Sequence, residues 1–213
     1  MSHVVDLIRN PGVVAIVRLD DYSAAVEMVR AIEAGGIRAV EFTYTNPKAG
    51  DAIAAVADAF DDRVAVGAGT VLDPETARAA MLRGASFVVT PTMNVETIRI
   101  CRRYDVPTVI GAYTPTEMST AWEAGATMVK LFPARSVGPS YIKDVHGPLP
   151  HIPIIPTGGV SLENCAEFIR AGAAGIAIGS NLVDARLVAE QGWPELTRRA
   201  ASFVRAVAEA RGK

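Results

Sequence analysis

The chain has 213 residues, half of them apolar and 21% charged, with 21 basic against 23 acidic side chains and a net charge of −2. That is the make-up of an ordinary soluble globular protein of one domain, able to bury a sizeable core. It offers no electrostatic footprint for nucleic acid or an anionic membrane, and no apolar run long enough to cross a bilayer. The opening MSHVVDLIRN carries Asp6 and no long apolar stretch, so no signal peptide is expected there. Cys101 and Cys165 fall in helical patterns and read as buried thiols of a reducing compartment, which points to the cytoplasm. His3, His146 and His151 lack metal-ligand spacing, so no metal is expected.

In chain order, a small lid helix is predicted near 2–9, then a strand near 13–18 (VVAIVR) and a helix near 21–34. Strands near 38–42 (RAVEF), 64–68 (VAVGA) and 86–89 (SFVV) follow, each succeeded by a helix: 47–60, 74–83 and 95–104. The pattern continues with strands near 107–110 (PTVI), 127–130 (TMVK), 153–156 (PIIP) and 175–179 (GIAIG). Their helices lie near 115–123, 138–144 and 161–171, and a long helix over 189–210 closes the chain. Continuous apolar strands separated by amphipathic helices favour a parallel sheet. Eight such units in one domain, 1–213, favour a (β/α)8 TIM barrel, although the chain is short for one. Gly35-Gly36, Gly84, Gly125 and Gly172 recur just before a strand, in the contexts EAGG, LRGA, EAGA and RAGA, which reads as an internal repeat.

A barrel carries its chemistry at the C-terminal ends of its strands, so charges there matter. Arg18 follows the first strand, Glu41 lies in the second, and Lys130 ends the sixth. Lysine is scarce: Lys48 and Lys143 fall in helical segments, Lys213 is the last residue, and Lys130 alone stands where the barrel points inward. One reading makes Lys130 a buried salt-bridge partner of Glu41. The other makes it a nucleophile, because burial can bring an amine from a pKa near roughly 10.4 to about 7–8. Glu41 would then carry protons through a bound water, or serve as a counter-ion to Arg18 or Lys130. PTGGV (156–160) and AIGSN (177–181) place Gly158, Gly159, Gly179 and Ser180 after strands seven and eight, where backbone amides can hold a phosphate at a helix N-terminus. GAGTV (67–71) presents Thr70 for a carboxylate, or else supplies glycines for close packing in a narrow barrel.

GAGTV, TPTE (114–117), KLFPA, GPLP, PTGGV and the IGS before Leu182-Val183 occur in one order and spacing. In these the chain resembles the 2-dehydro-3-deoxy-6-phosphogluconate (KDPG) aldolase family, which often also cleaves 4-hydroxy-2-oxoglutarate (KHG). The resemblance runs from about Val13 to Val183, and KLFPA with PTGGV downstream is its most specific part. It implies a class I aldolase with Lys130 as Schiff-base lysine, Glu41 as acid/base and Thr70 holding the pyruvate carboxylate. Thr157 would lie near the substrate's distal hydroxyls, Arg18 near its charged end and Phe132 beside the lysine. Gly158, Gly159, Gly179 and Ser180 would form the phosphate cradle. It further implies a small 2-oxo acid substrate, phosphorylated, no organic cofactor, no nucleic-acid or membrane partner, and a homotrimer. The sequence departs from the family pattern at Thr45, at Ile110-Gly111 and in TPTMN (90–94), positions that bear on the aldehyde partner. The galactonate-derived epimer is an alternative substrate. A sugar-phosphate isomerase or epimerase would share the phosphate cradle without needing an imine, and a non-catalytic binding barrel would need neither Lys130 nor Glu41.

Overall fold

The computed structural model describes residues 2–212. A helix, α1 (Ser2–Arg9), precedes the first strand, β1 (Val13–Val17). Alternation then holds through α2 (Ala25–Ala34), β2 (Ala39–Thr43), α3 (Ala49–Phe60), β3 (Ala65–Gly69), α4 (Pro74–Leu82) and β4 (Phe87–Val89). It continues with α5 (Val95–Arg103), β5 (Thr108–Ala112), α6 (Pro115–Ala124), β6 (Met128–Leu131), α7 (Gly138–His146) and β7 (Ile154–Pro156). The last elements are α8 (Cys165–Arg170), β8 (Ile176–Ile178), α9 (Ala185–Ala189) and α10 (Trp193–Ala210). The strands are all parallel, in the order β7-β6-β5-β4-β3-β2-β1-β8, and a bridge between Thr157 and Ala177 draws the two edges together. The result is a nearly closed (β/α)8 barrel. No helix among the described residues is long and apolar enough to cross a membrane.

Every strand residue is buried, so each strand must be apolar on both faces. The two-residue strand period splits them into two cores. Val13, Ala15, Val17, Val40 and Phe42 belong to the core shared with the helices. Val14, Ile16, Ala39, Ala65, Phe87, Val109, Met128, Ile155 and Ala177 fill the barrel itself, together with Leu7 and Ile8 of α1. The N-terminal helix therefore plugs the end of the barrel where the strands begin. It does not cover the mouth where they end. Full burial of Ile8 alone contributes about 1.5–3 kcal/mol. Above this apolar layer the inward positions change character: Glu41, Gly67, Gly69, Gly111 and Lys130 continue the same faces.

The glycine repeat has a structural cause. Gly36, Gly84, Gly125 and Gly172 all take φ between +94° and +107°. Each donates its amide to the carbonyl three residues back, and the next residue donates to the carbonyl five back, as in Ile37 to Ile32 and Ala126 to Ala121. This is the Schellman ending, which needs a left-handed residue. Asp105 (φ 56°) after α5 and Gln191 (φ 52°) after α9 make the same two bonds without glycine.

Helix starts differ from the predicted ones for local reasons. At 21–24 the Asp21 carboxylate accepts from the Ser23 amide and hydroxyl, forming a turn before α2. The Asn164 side chain accepts from Ser161 and donates to Gly159, so α8 begins at Cys165 instead of 161. The helix expected over 189–210 begins only at Trp193, because the left-handed Gln191 separates α10 from the short α9 and Pro194 sits in the first turn of α10. The C-terminal side of α10 is tied to the plugged end: Arg211 donates to the carbonyls of Arg9, Asn10 and Ala174.

Candidate active site

Lys130 and Glu41 stand inside the barrel, just above the apolar layer. Both are buried, at 5% and 1% exposure. The other described lysines, Lys48 and Lys143, are exposed. Burial disfavours charge, so it pushes the Lys130 amine down and the Glu41 carboxyl up from their ordinary values. Their mutual attraction opposes both shifts, and Arg18 at the mouth lowers both. The net direction for each is toward its neutral form. Glu41 Oε2 is buried without a hydrogen-bond partner, as is the hydroxyl of Thr157. Buried polar atoms are usually satisfied, so an orphaned oxygen within electrostatic reach of a buried amine marks a polar position left open by the chain itself.

Neighbours are cut away to make room. A Cβ at Gly69 would lie 2.8 Å from the Glu41 carboxyl carbon, and one at Gly67 would lie 2.4 Å from the Phe87 ring. GAGTV thus supplies the packing glycines, and Thr70 follows them in a left-handed backbone (φ 56°). Gly111 is crossed by the loop after β4: a Cβ there would lie 2.2 Å from the Pro91 carbonyl carbon. Its amide donates to the Thr90 hydroxyl at 3.0 Å. The two departures from the family pattern at TPTMN and Ile110-Gly111 are therefore one packed unit.

Beside the lysine lies a cavity of about 530 Å³ over β7, β8 and β1. It gathers Arg18, Phe132, Thr157, Gly158, Gly159, Gly179 and Ser180, so seven of the expected residues share one space. The Phe132 ring centre is 5.2 Å from Lys130 Nζ, linking cavity and amine. Thr70 does not line this cavity, and Glu41 and Lys130 lie below it. One expectation is corrected: the amides of Gly158 and Gly159 do not open a helix, because α8 starts only at Cys165. Nor does α9 present a free N-terminus, since Asp184 caps it by accepting from the Leu187 amide. The backbone at Gly158 and Gly159 is loop, with φ of +85° and +87°.

The family model of KDPG and KHG aldolases matches residues 4–199. The chain belongs to the KDPG and KHG aldolase family. Members are aldolases, which makes this chain a carbon–carbon lyase. It is 39% identical over 198 residues to the 2-dehydro-3-deoxy-6-phosphogalactonate aldolase of Escherichia coli strain K12, covering 92% of this chain and 95% of that one. A solved native KDPGal structure is similar with a TM-score of 0.88 at 38% identity, covering 94% of this chain and 96% of that one. KDPG aldolase from Legionella pneumophila, solved with pyruvate captured at low pH as a covalent carbinolamine, gives 0.86 at 25% identity over 92% and 96%.

For a KDPG and KHG aldolase, sequence reasoning left one conspicuous side chain unassigned. Arg135 lines the same cavity as Arg18. It lies on the turn after β6, five residues beyond Lys130, whereas the search for charges stopped at the strand ends. The glycine turn across from it was the available signal.

Proposed function

We propose that this aldolase cleaves KDPG to pyruvate and glyceraldehyde 3-phosphate through a Schiff base on Lys130. The observation that carries this is the buried, neutral-leaning amine facing the orphaned carboxyl oxygen of Glu41. The amine attacks the C2 ketone, and loss of water gives an iminium ion. That ion accepts the electron pair of the C3–C4 bond as the C4 hydroxyl passes its proton to Glu41, directly or through water. The aldehyde leaves. The enamine takes a proton at C3, and hydrolysis of the resulting iminium frees pyruvate and the amine. Thr70 is assigned to the pyruvate carboxylate, Thr157 to the distal hydroxyls, and Gly158, Gly159, Gly179, Ser180 and Arg18 to the phosphate. Borohydride with pyruvate should add a reduced pyruvyl group to Lys130, located by peptide mass. An unlabelled lysine overturns the reading.

The 39% identical galactonate enzyme supports a second reading, in which the C4 epimer is the better substrate. Relative kcat/KM for KDPG, its galactonate epimer and KHG ranks them. Lys130→Arg should abolish cleavage, whereas an isomerase or epimerase using only acid/base chemistry would keep some turnover. The same reading carries a cytoplasmic, homotrimeric, single-domain enzyme over 1–213. The buried, unpaired thiols of Cys101 and Cys165 support the compartment. The exposed apolar side chains of Leu72, Leu82, Tyr104 and Leu162 support association, and sedimentation at three chain masses is the expected result.

A further inference from the structure

The cavity beside Lys130 carries charge of one sign. Arg18 and Arg135 line it, and no Asp or Glu does among the described residues. Elsewhere on the surface, arginines such as Arg63, Arg83, Arg186 and Arg199 have carboxylate partners, and among the described residues no such pair involves Arg18 or Arg135. Two arginines thus line one space in which no carboxylate stands among the described residues.

The backbone of Arg135 is fixed there by its surroundings. The amides of Ala134 and Arg135 donate to the carbonyls of Thr157 and Gly158 at 2.8 and 2.9 Å, stitching the turn after β6 to the loop after β7. A Cβ at Gly159 would meet the Arg135 Cβ at 2.5 Å and its Nε at 3.3 Å. Glycine at 159 therefore does more than bare an amide: it makes the groove in which the arginine stem lies.

We propose that Arg135 is a specificity-determining residue that, with Arg18, matches the charge of a phosphate monoester at the far end of the substrate. This rests on the function proposed above and deepens it. A phosphate carries about −1.5 to −2 charges and three strong acceptor oxygens near neutral pH. A terminal carboxylate carries one charge and two oxygens, which one guanidinium fork already satisfies. The second arginine therefore favours phosphorylated 4-hydroxy-2-oxo acids over KHG.

The test compares kcat/KM for KDPG or its epimer with that for KHG in the wild type, Arg135→Ala and Arg135→Lys, with inorganic phosphate as an inhibitor. In Arg135→Ala the preference for the phosphorylated substrate should fall about 10–100-fold, mainly through KM. Inhibition by phosphate should weaken in parallel, and Arg135→Lys should recover part of both. Equal losses on both substrates, or an unchanged phosphate inhibition constant, overturn the inference. Borohydride trapping of pyruvate separates the two levels. Wild type that fails to trap sinks the aldolase reading, whereas trapping with an unchanged substrate ratio sinks only the role of Arg135.

Discussion

Glu41 is the side chain on which both the proposed proton transfer and the pH response of stability turn. Its folded-state pKa lies above the ordinary 4.5 because burial penalises the carboxylate. Between those two values the folded chain binds more protons than the unfolded one, so this term stabilises fully below 4.5 and is lost as pH rises through the folded value. Glu41→Gln removes the term. Urea melts at several pH values should show the variant gaining stability relative to the wild type as pH rises. Turnover should fall by about 10²–10⁴ for want of a proton carrier. A variant as active as the wild type would remove Glu41 from the mechanism. Lys130 and Glu41 were legible in the sequence because each interrupts an apolar strand, where charge is costly. Arg135 was not, because an arginine in a loop is unremarkable until the fold brings it against Gly159.

The helix endings carry the repeat, and here legibility depended on residue type. EAGG, LRGA, EAGA and RAGA announced four left-handed turns, since glycine is the residue that takes that backbone without strain. The equivalent turns at Asp105 and Gln191 were invisible, and missing the second started the last helix at 189 instead of Trp193 and left α9 unread. Two substitutions test this at positions with little steric conflict. At Gly36 the nearest atoms to an added Cβ are 3.6 Å away, so Gly36→Ala isolates the backbone cost, about 1–2 kcal/mol. Gln191→Gly should do the reverse and stabilise by about 0.5–1 kcal/mol. Denaturant midpoints of the two variants should move in opposite directions.

Across the whole molecule, strand ends and plug divide the labour. One end of the barrel is a dry apolar seal built on Leu7 and Ile8, and the other holds the amine, the carboxyl and the cavity. The eight-unit order was readable from alternating apolar runs. The side of the barrel taken by 2–9 was not, because a short amphipathic helix fits either rim. Arg211 joins the last helix to this seal through three carbonyls. Arg211→Ala should cost about 1.5 kcal/mol and lower Tm by about 3–6 °C. Because the seal lies at the far rim, kcat/KM below the transition should hold. A loss of activity at low temperature would contradict that separation.

The same arginine clasp has a topological consequence. It holds the last turn of α10 against the end of α1, at the rim of the barrel opposite the amine. A peptide inserted at the exposed turn Asp61–Arg63 on that same rim would be borne by the closed end and leave the route to the buried amine clear.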